Sequence, residues 1–344
     1  MRRRRWLAPH PQDHPGAVYH CISRVVDRRF IFDDAEKELF RSLMLELAQF
    51  CQIRILTFCI MSNHFHLLVE VPSPPTPLPS AEETLDALSR LSGCQDVPGA
   101  RRHLQVLRQS ADPQAEAAWL ATLHARRWNL SAFLGILKQR FSASYNRRHG
   151  RKGTLWEERF RSVLVEGEGR ALVTMAAYID LNPVRADLVQ DPKDYRWSGY
   201  GEAVAGRTEA REGILRIART LLQGEAASAS EALAEYRRHV FAEGCEEREV
   251  IGEDGRPVRG ALSREAVLRV LAERGQLSAA QYLRCRVRYF CDGAVFGSLG
   301  FVEGIFRESR NRFGPRRRTG ARPLRGIDEA GLYTVRDLRV RVFG

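Results

Sequence analysis

No stretch of this chain supplies the about 20 uninterrupted apolar residues that a membrane-spanning helix needs. That argues against a helical membrane protein. No CxxC pair occurs, and the seven cysteines (21, 51, 59, 94, 245, 285 and 291) are odd in number. Neither a disulfide framework nor a zinc knuckle follows, and a reducing cytoplasm fits best. The opening MRRRRWLAPHPQDHPG has no apolar run behind its charges, so residues 1–15 read as a basic arm and not as a signal peptide. No internal repeat and no HEXXH motif is present. Acidic residues are in deficit, 42 against 54 Lys and Arg, leaving a formal charge of +12. A polyanionic partner follows, and with membrane disfavoured that partner is nucleic acid.

What is present divides the 344 residues into two units. Ala17 to Arg24 has strand character. A helix follows from about Ala35 to Phe50, capped by Asp33 or Asp34. Ile53–Ile60 and Phe65–Val71, split by Ser62-Asn63, form an antiparallel hairpin. A proline-rich break after Val71 opens a charged, helical insert over about 73–130. Ser131 caps the next helix. Phe160–Glu166 is a strand, and a helix from about Arg170 to Leu181 stops at Asn182-Pro183. Without the insert the order is strand, helix, strand, strand, helix, strand. This is an α+β ferredoxin-like βαββαβ antiparallel sheet with helices on one face, over residues 16–205. Residues 206–344 read as a small, basic, helical domain, helix-turn-helix in style, with helices near 263–273, 278–290 and after Ser298.

The chemistry centres on MSNHFHLLVE (61–70). On a strand His64 and His66 share one face while Phe65 points to the other. Two fixed imidazoles can be adjacent metal ligands or two partly exposed strand histidines, and the HxH spacing alone does not choose. In ALVTMAAYIDLNPVRADLV (171–189), Tyr178 and Asn182 lie four apart on one helical face. Asn182 offers a carbonyl oxygen to a metal or caps the helix that Pro183 begins. Tyr178 is a phenol nucleophile beside that metal or a core-edge aromatic.

MSNHFHLLVE, NRRHGRKGTLWEERFRSVLVE and YIDLNPVRADLV, in that order, resemble the REP-associated tyrosine transposases of the single-tyrosine HUH superfamily, over roughly residues 16–203. The resemblance implies that His64 and His66 bind a divalent metal, Mg²⁺ or Mn²⁺, with Asn182 as a further ligand. It implies that Tyr178 attacks single-stranded or hairpin DNA to give a 5′-phosphotyrosine and a free 3′-OH, and that the chain works as a monomer or homodimer in the cytoplasm, at the nucleoid. The insert and the C-terminal 140 or so residues depart from the common pattern. Tyr145 in SASYNRRHG is a rival nucleophile without a metal-type neighbour one turn away.

Basic residues complete the picture. Arg147, Arg148, Arg151 and Lys152, with Arg159 and Arg161, read as phosphate contacts, as do Arg316, Arg317 and Arg318 in RNRFGPRRRTGARPLR. Either group can instead be solvated surface. Trp156 stacks on a base or packs the hairpin. The expected activity is DNA cleavage and rejoining in transposition. The alternatives are a DNA-binding regulator of the same fold and a water-using metallo-nuclease.

Overall fold

The computed structural model describes residues 6, 16–91, 97–110, 112–222, 228–244, 282–283, 285–327, 331–338 and 342–343. The basic arm, apart from Trp6, and the expected helix at 263–273 lie outside the described residues, as do residues 278–281 and 284 of the expected helix at 278–290; of its described part, residues 285–287 are not helical and a short helix starts only at Arg288.

Each element forms for a local reason. Strand β1 (Gly16–Arg24) leads to helix α1 (Asp34–Cys51), which starts where the Asp33 carboxylate accepts the Glu36 N–H. Gln52 closes α1 in the left-handed conformation. Strands β2 (Arg54–Ile60) and β3 (His64–Pro72) pair as the expected hairpin. Helices α2 (Ala81–Ser89), α3 (Val97–Arg108) and α4 (Ala115–His124) fill the insert, and Ala81, Leu85 and Leu104 give it a small core of its own. Helix α5 (Leu130–Arg148) is capped by the Asn129 side chain, two residues before the expected Ser131. Strand β4 (Arg161–Val165) and helix α6 (Gly169–Asp180) follow.

The first four strands lie in the order β2-β3-β1-β4, and every neighbouring pair is antiparallel. That is the pairing the order of elements in the sequence implied. The chain is a mixed α and β protein built on this sheet.

Two parts of the expectation need correction. Helices cover both faces of the sheet, not one. On the first face, Tyr19, Phe58, Phe65 and Leu67 pack against Phe40 of α1 and Phe141 of α5. On the second, Val18, Ile22, Leu68 and Val163 are also apolar and need cover. Helices α6, α8 (Gly199–Val204), α9 (Thr208–Ala218) and α10 (Ala229–Gly244) supply it, with the short α7 (Asn182–Arg185) joining α6 to them. Helix α9 docks so closely that a Cβ on Gly213 would lie 2.3 Å from the Leu56 carbonyl oxygen.

The C-terminal part is not helical alone. After helix α11 (Arg288–Asp292), strand β5 (Val295–Gly297) pairs in parallel with β4. Helix α12 (Leu299–Glu308), which follows Ser298 as expected and is capped by it, precedes β6 (Arg322–Pro323) and β7 (Tyr333–Thr334). The sheet runs on as β4-β5-β7-β6. Strands of two or three residues carry no readable two-residue period, so the pattern hid them.

Buried hydrogen bonds hold α6 in place. Asp180 accepts from Thr57 Oγ1 of β2 at 2.6 Å and from the Tyr236 hydroxyl of α10 at 2.6 Å. Burial raises its carboxyl to about 7, while both hydrogen bonds oppose that rise. Two residues earlier on the same helix is Tyr178.

Candidate active site

The register of β1 against β3 builds the site. Arg24 stands opposite His64, Ile22 opposite His66 and His20 opposite Leu68. His20, Ile22, His64 and His66 therefore share the second sheet face, with His20 and His66 as diagonal neighbours. Phe65 takes the other face, against Phe40 and Trp156. The imidazoles of His64 and His66 lie 5.1 Å apart, centroid to centroid.

Helix α6 crosses this face and brings Tyr178 to the histidines. Its ring centroid lies 6.2 Å from that of His66 and 6.2 Å from that of His20, both edge-on. The resemblance joined these residues across more than a hundred positions, and the fold places them together. Tyr178 is 2 % exposed. Phe290 packs on it at 4.7 Å, and the Cys291 Sγ lies 3.6 Å from its hydroxyl. The Arg185 guanidinium sits over its ring at 4.1 Å, donating to the Leu283 carbonyl at 2.7 Å and to the Tyr178 carbonyl. Burial pushes the phenol well above its ordinary value, Cys291 adds to the rise, and Arg185 opposes it.

The imidazoles are poor bases here. Burial holds His66 well below its ordinary value, with His64 and His20 adding to the effect. Burial also lowers His20, to about 4, and His64, helped there by Arg24 and Arg286. Neutral imidazole is the form that binds a metal.

Asn182 is 9 % exposed at the end of α6, where its Nδ2 donates to the Ile179 carbonyl at 3.3 Å. Its side chain does not cap α7, whose N-terminal cap is Leu181. The amide nitrogen is thus committed to the backbone of its own helix. Two imidazoles and an amide oxygen suit a divalent first-row ion such as Mn²⁺, and suit Mg²⁺ less well. Among the described residues, no group of three or more His, Cys, Asp or Glu is placed to hold a metal.

The other candidates separate. Tyr145 belongs to the core on the opposite sheet face and stacks on His149 at 4.1 Å, away from the histidine pair. Trp156 is a packing residue, donating to Ser142 Oγ at 2.8 Å. Arg148 pairs with Glu36 at 2.8 Å, and Arg161 with Asp292 at 3.0 Å. Arg147, Lys152 and Arg159 are exposed and Arg151 is half-buried. Arg316 and Arg318 are exposed, whereas Arg317 turns inward to the Thr319 and Gly320 carbonyls and over Phe313. His20, Arg185, Phe290 and Cys291 join the site without having been expected from the sequence. Arg185 stood in plain view in the NPVR segment, and the others come into reach only through the register and the return of the chain after residue 282.

No helix among the described residues is long and apolar enough to cross a membrane. Comparison with curated proteins finds no match. Among solved structures, the chain is similar to a REP-associated tyrosine transposase bound to a REP hairpin. That likeness has 13% identity and a TM-score of 0.35, covering 60% of this chain and 86% of that one, too distant to carry a residue role. Residues 14–80 match the model of the family described as "Transposase IS200 like", a span that holds His20, His64 and His66 and stops short of Tyr178. The first of the three motifs lies inside that span, so over residues 14–80 this chain is similar to the IS200-like transposases.

Proposed function

We propose that this protein cleaves and rejoins single-stranded DNA, at hairpin-type sites, through a covalent bond to Tyr178. The observation that carries the reading is the meeting of His64 and His66 with Tyr178 on one sheet face, His66 and the phenol ring being 6.2 Å apart. His64 and His66 would hold a divalent cation with the Asn182 carbonyl oxygen. When bound, such a cation neutralises charge that builds on the phosphate oxygens.

The protein's own residues do the rest. The Tyr178 oxygen forms a bond to phosphorus as the bond from phosphorus to the 3′ oxygen breaks. The phenol proton ends on the released 3′-OH. The phosphodiester energy is kept in the phosphotyrosine, so a 3′-OH can reverse the step without ATP. Arg185, over the ring, favours the phenolate that burial disfavours. Exposed Arg147, Lys152 and Arg159 hold the DNA backbone by charge. A single strand fits because a duplex would crowd the phosphate away from the strand face. Free, buried cysteine thiols and a DNA substrate support a cytoplasmic location, at the nucleoid.

A second reading has an observation on its side. Phe290 and Cys291 cover Tyr178, as expected of a DNA-binding regulator that rarely cleaves. One experiment separates the readings. Labelled single-stranded hairpin DNA is incubated with the protein and Mn²⁺, then denatured. A protein–DNA adduct that disappears in Tyr178→Phe supports the tyrosine mechanism. Cleavage that survives Tyr178→Phe indicates a water nucleophile, and binding without cleavage indicates the regulator.

A further inference from the structure

The geometry points to His20 as a positioning residue that fixes which nitrogen of His66 carries hydrogen, leaving the His66 Nε2 lone pair free for a divalent cation. The inference rests on the functional reading above and adds a residue to it.

His20 is fully buried on β1, and both its ring nitrogens are engaged. Its Nδ1 lies 2.8 Å from the Phe290 carbonyl oxygen. A carbonyl only accepts, so the hydrogen is on His20 Nδ1. The other nitrogen, Nε2, lies 2.8 Å from His66 Nδ1, the two rings nearly parallel at 18°. His20 is fully buried, the charged group acting on it is Arg185, and burial without an opposing charge keeps an imidazole neutral. His20 Nε2 is then a lone pair, and it accepts from His66 Nδ1–H. A neutral His66 has one hydrogen, already spent, so its Nε2 is bare.

The opposite proton arrangement shows what is at stake. Were His20 to donate from Nε2, His66 Nδ1 would be the acceptor and His66 Nε2 would carry the hydrogen, closing it to any cation. The direction of one hydrogen bond thus sets whether His66 is a ligand.

His64 is treated the same way by a different residue. Asn63 Nδ2 donates to the Arg28 carbonyl at 3.1 Å, which turns Asn63 Oδ1 toward His64 Nδ1 at 2.7 Å. The hydrogen is therefore on His64 Nδ1 and the lone pair on Nε2. Both histidines of the pair offer the same atom. Metal-bound histidines commonly hand their other N–H to a carbonyl or carboxylate. Here the carbonyl is reached through a second imidazole, and it comes from Phe290, 270 residues along the chain from His20. The segment that covers Tyr178 also sets the ligand.

Two measurements on the full-length protein test this. Long-range ¹H–¹⁵N correlation spectra of the metal-free protein at neutral pH report the tautomer of each histidine. His66 and His20 are expected with hydrogen on Nδ1. A hydrogen on His66 Nε2, or rapid averaging between the two, overturns the proposal. The second measurement titrates Mn²⁺ and follows the free ion by electron paramagnetic resonance. His20→Leu, which removes the acceptor, is expected to weaken binding about 10- to 100-fold, and His20→Gln, which restores one through its Oε1, to recover most of it. Equal loss in both variants, or no loss in either, overturns it. Should His20→Leu fail to fold, the wild-type spectra decide alone. If the wild type takes up no Mn²⁺ yet shows the expected tautomers, the functional reading fails while the positioning of His66 stands.

Discussion

At the scale of single residues, the site joins a buried phenol that resists ionisation to imidazoles that resist protonation. His20 titrates at about 4 in place of 6.5 because burial disfavours its charged form. A group lowered in the folded state destabilises the fold once pH drops below its ordinary value, because the unfolded chain takes up the proton first. The loss grows as pH falls toward the folded value. The stability of the wild type relative to His20→Gln should therefore fall between pH 6.5 and 4, by at most about 3.5 kcal/mol, since each tenfold change in proton affinity is worth about 1.4 kcal/mol. Urea unfolding at stepped pH checks it, and a pH-independent difference contradicts it. His64, His66, Tyr178 and Asn182 were picked out by the resemblance, and their spacing within a strand or helix showed only that each pair shares a face. His20 was not, although its strand was. A period of two gives the face of a residue within its own strand, but only the pairing register says which neighbour lies across from it.

At the scale of elements, α6 and α9 decide whether Tyr178 meets the histidines. A Cβ at Gly213 would collide with the Leu56 carbonyl of β2. Gly213→Ala should cost about 1–3 kcal/mol by forcing α9 off the sheet. Thermal unfolding reads this, and an unchanged melting temperature would show the contact to be slack. Asp180 ties α6 to β2 and α10 and titrates at about 7, above its ordinary value. A raised group gives stability that is full below the ordinary value and lost as pH rises through the folded one. The advantage of the wild type over Asp180→Asn should therefore be larger at pH 5 than at pH 8, again by urea unfolding. The long elements and their order were readable from capping residues and apolar spacing. The second helical layer was not recognised as a layer, because α6 is buried all round and gives no polar stripe to orient it. The strands after residue 294 were too short to signal at all.

At the scale of the whole molecule, the +12 charge implies that affinity for the proposed DNA partner depends on salt. Charge reversal at exposed Arg147, Lys152 or Arg159 should weaken single-strand binding. It should also lower the slope of log affinity against log salt by about 0.7 per lost phosphate contact. Arg317, bonded inward to backbone carbonyls, should behave differently: Arg317→Gln lowers the melting temperature and leaves the slope alone. Distant parts of the chain meet at the site, since Phe290 and Cys291 close over a tyrosine that the first unit presents. On the proposed mechanism, DNA displaces that cover before the phenol reaches a phosphate. The central claim is that the Tyr178 oxygen forms the covalent bond to DNA, and the site of that bond can be read directly. Trypsin releases residues 171–185 as one peptide, in which Tyr178 is the sole tyrosine. After reaction with a short hairpin oligonucleotide and nuclease trimming, mass spectrometry should find the 5′-nucleotide mass on that peptide and at Tyr178. The same mass on the peptide holding Tyr145, or on none while the DNA is cut, would contradict the account.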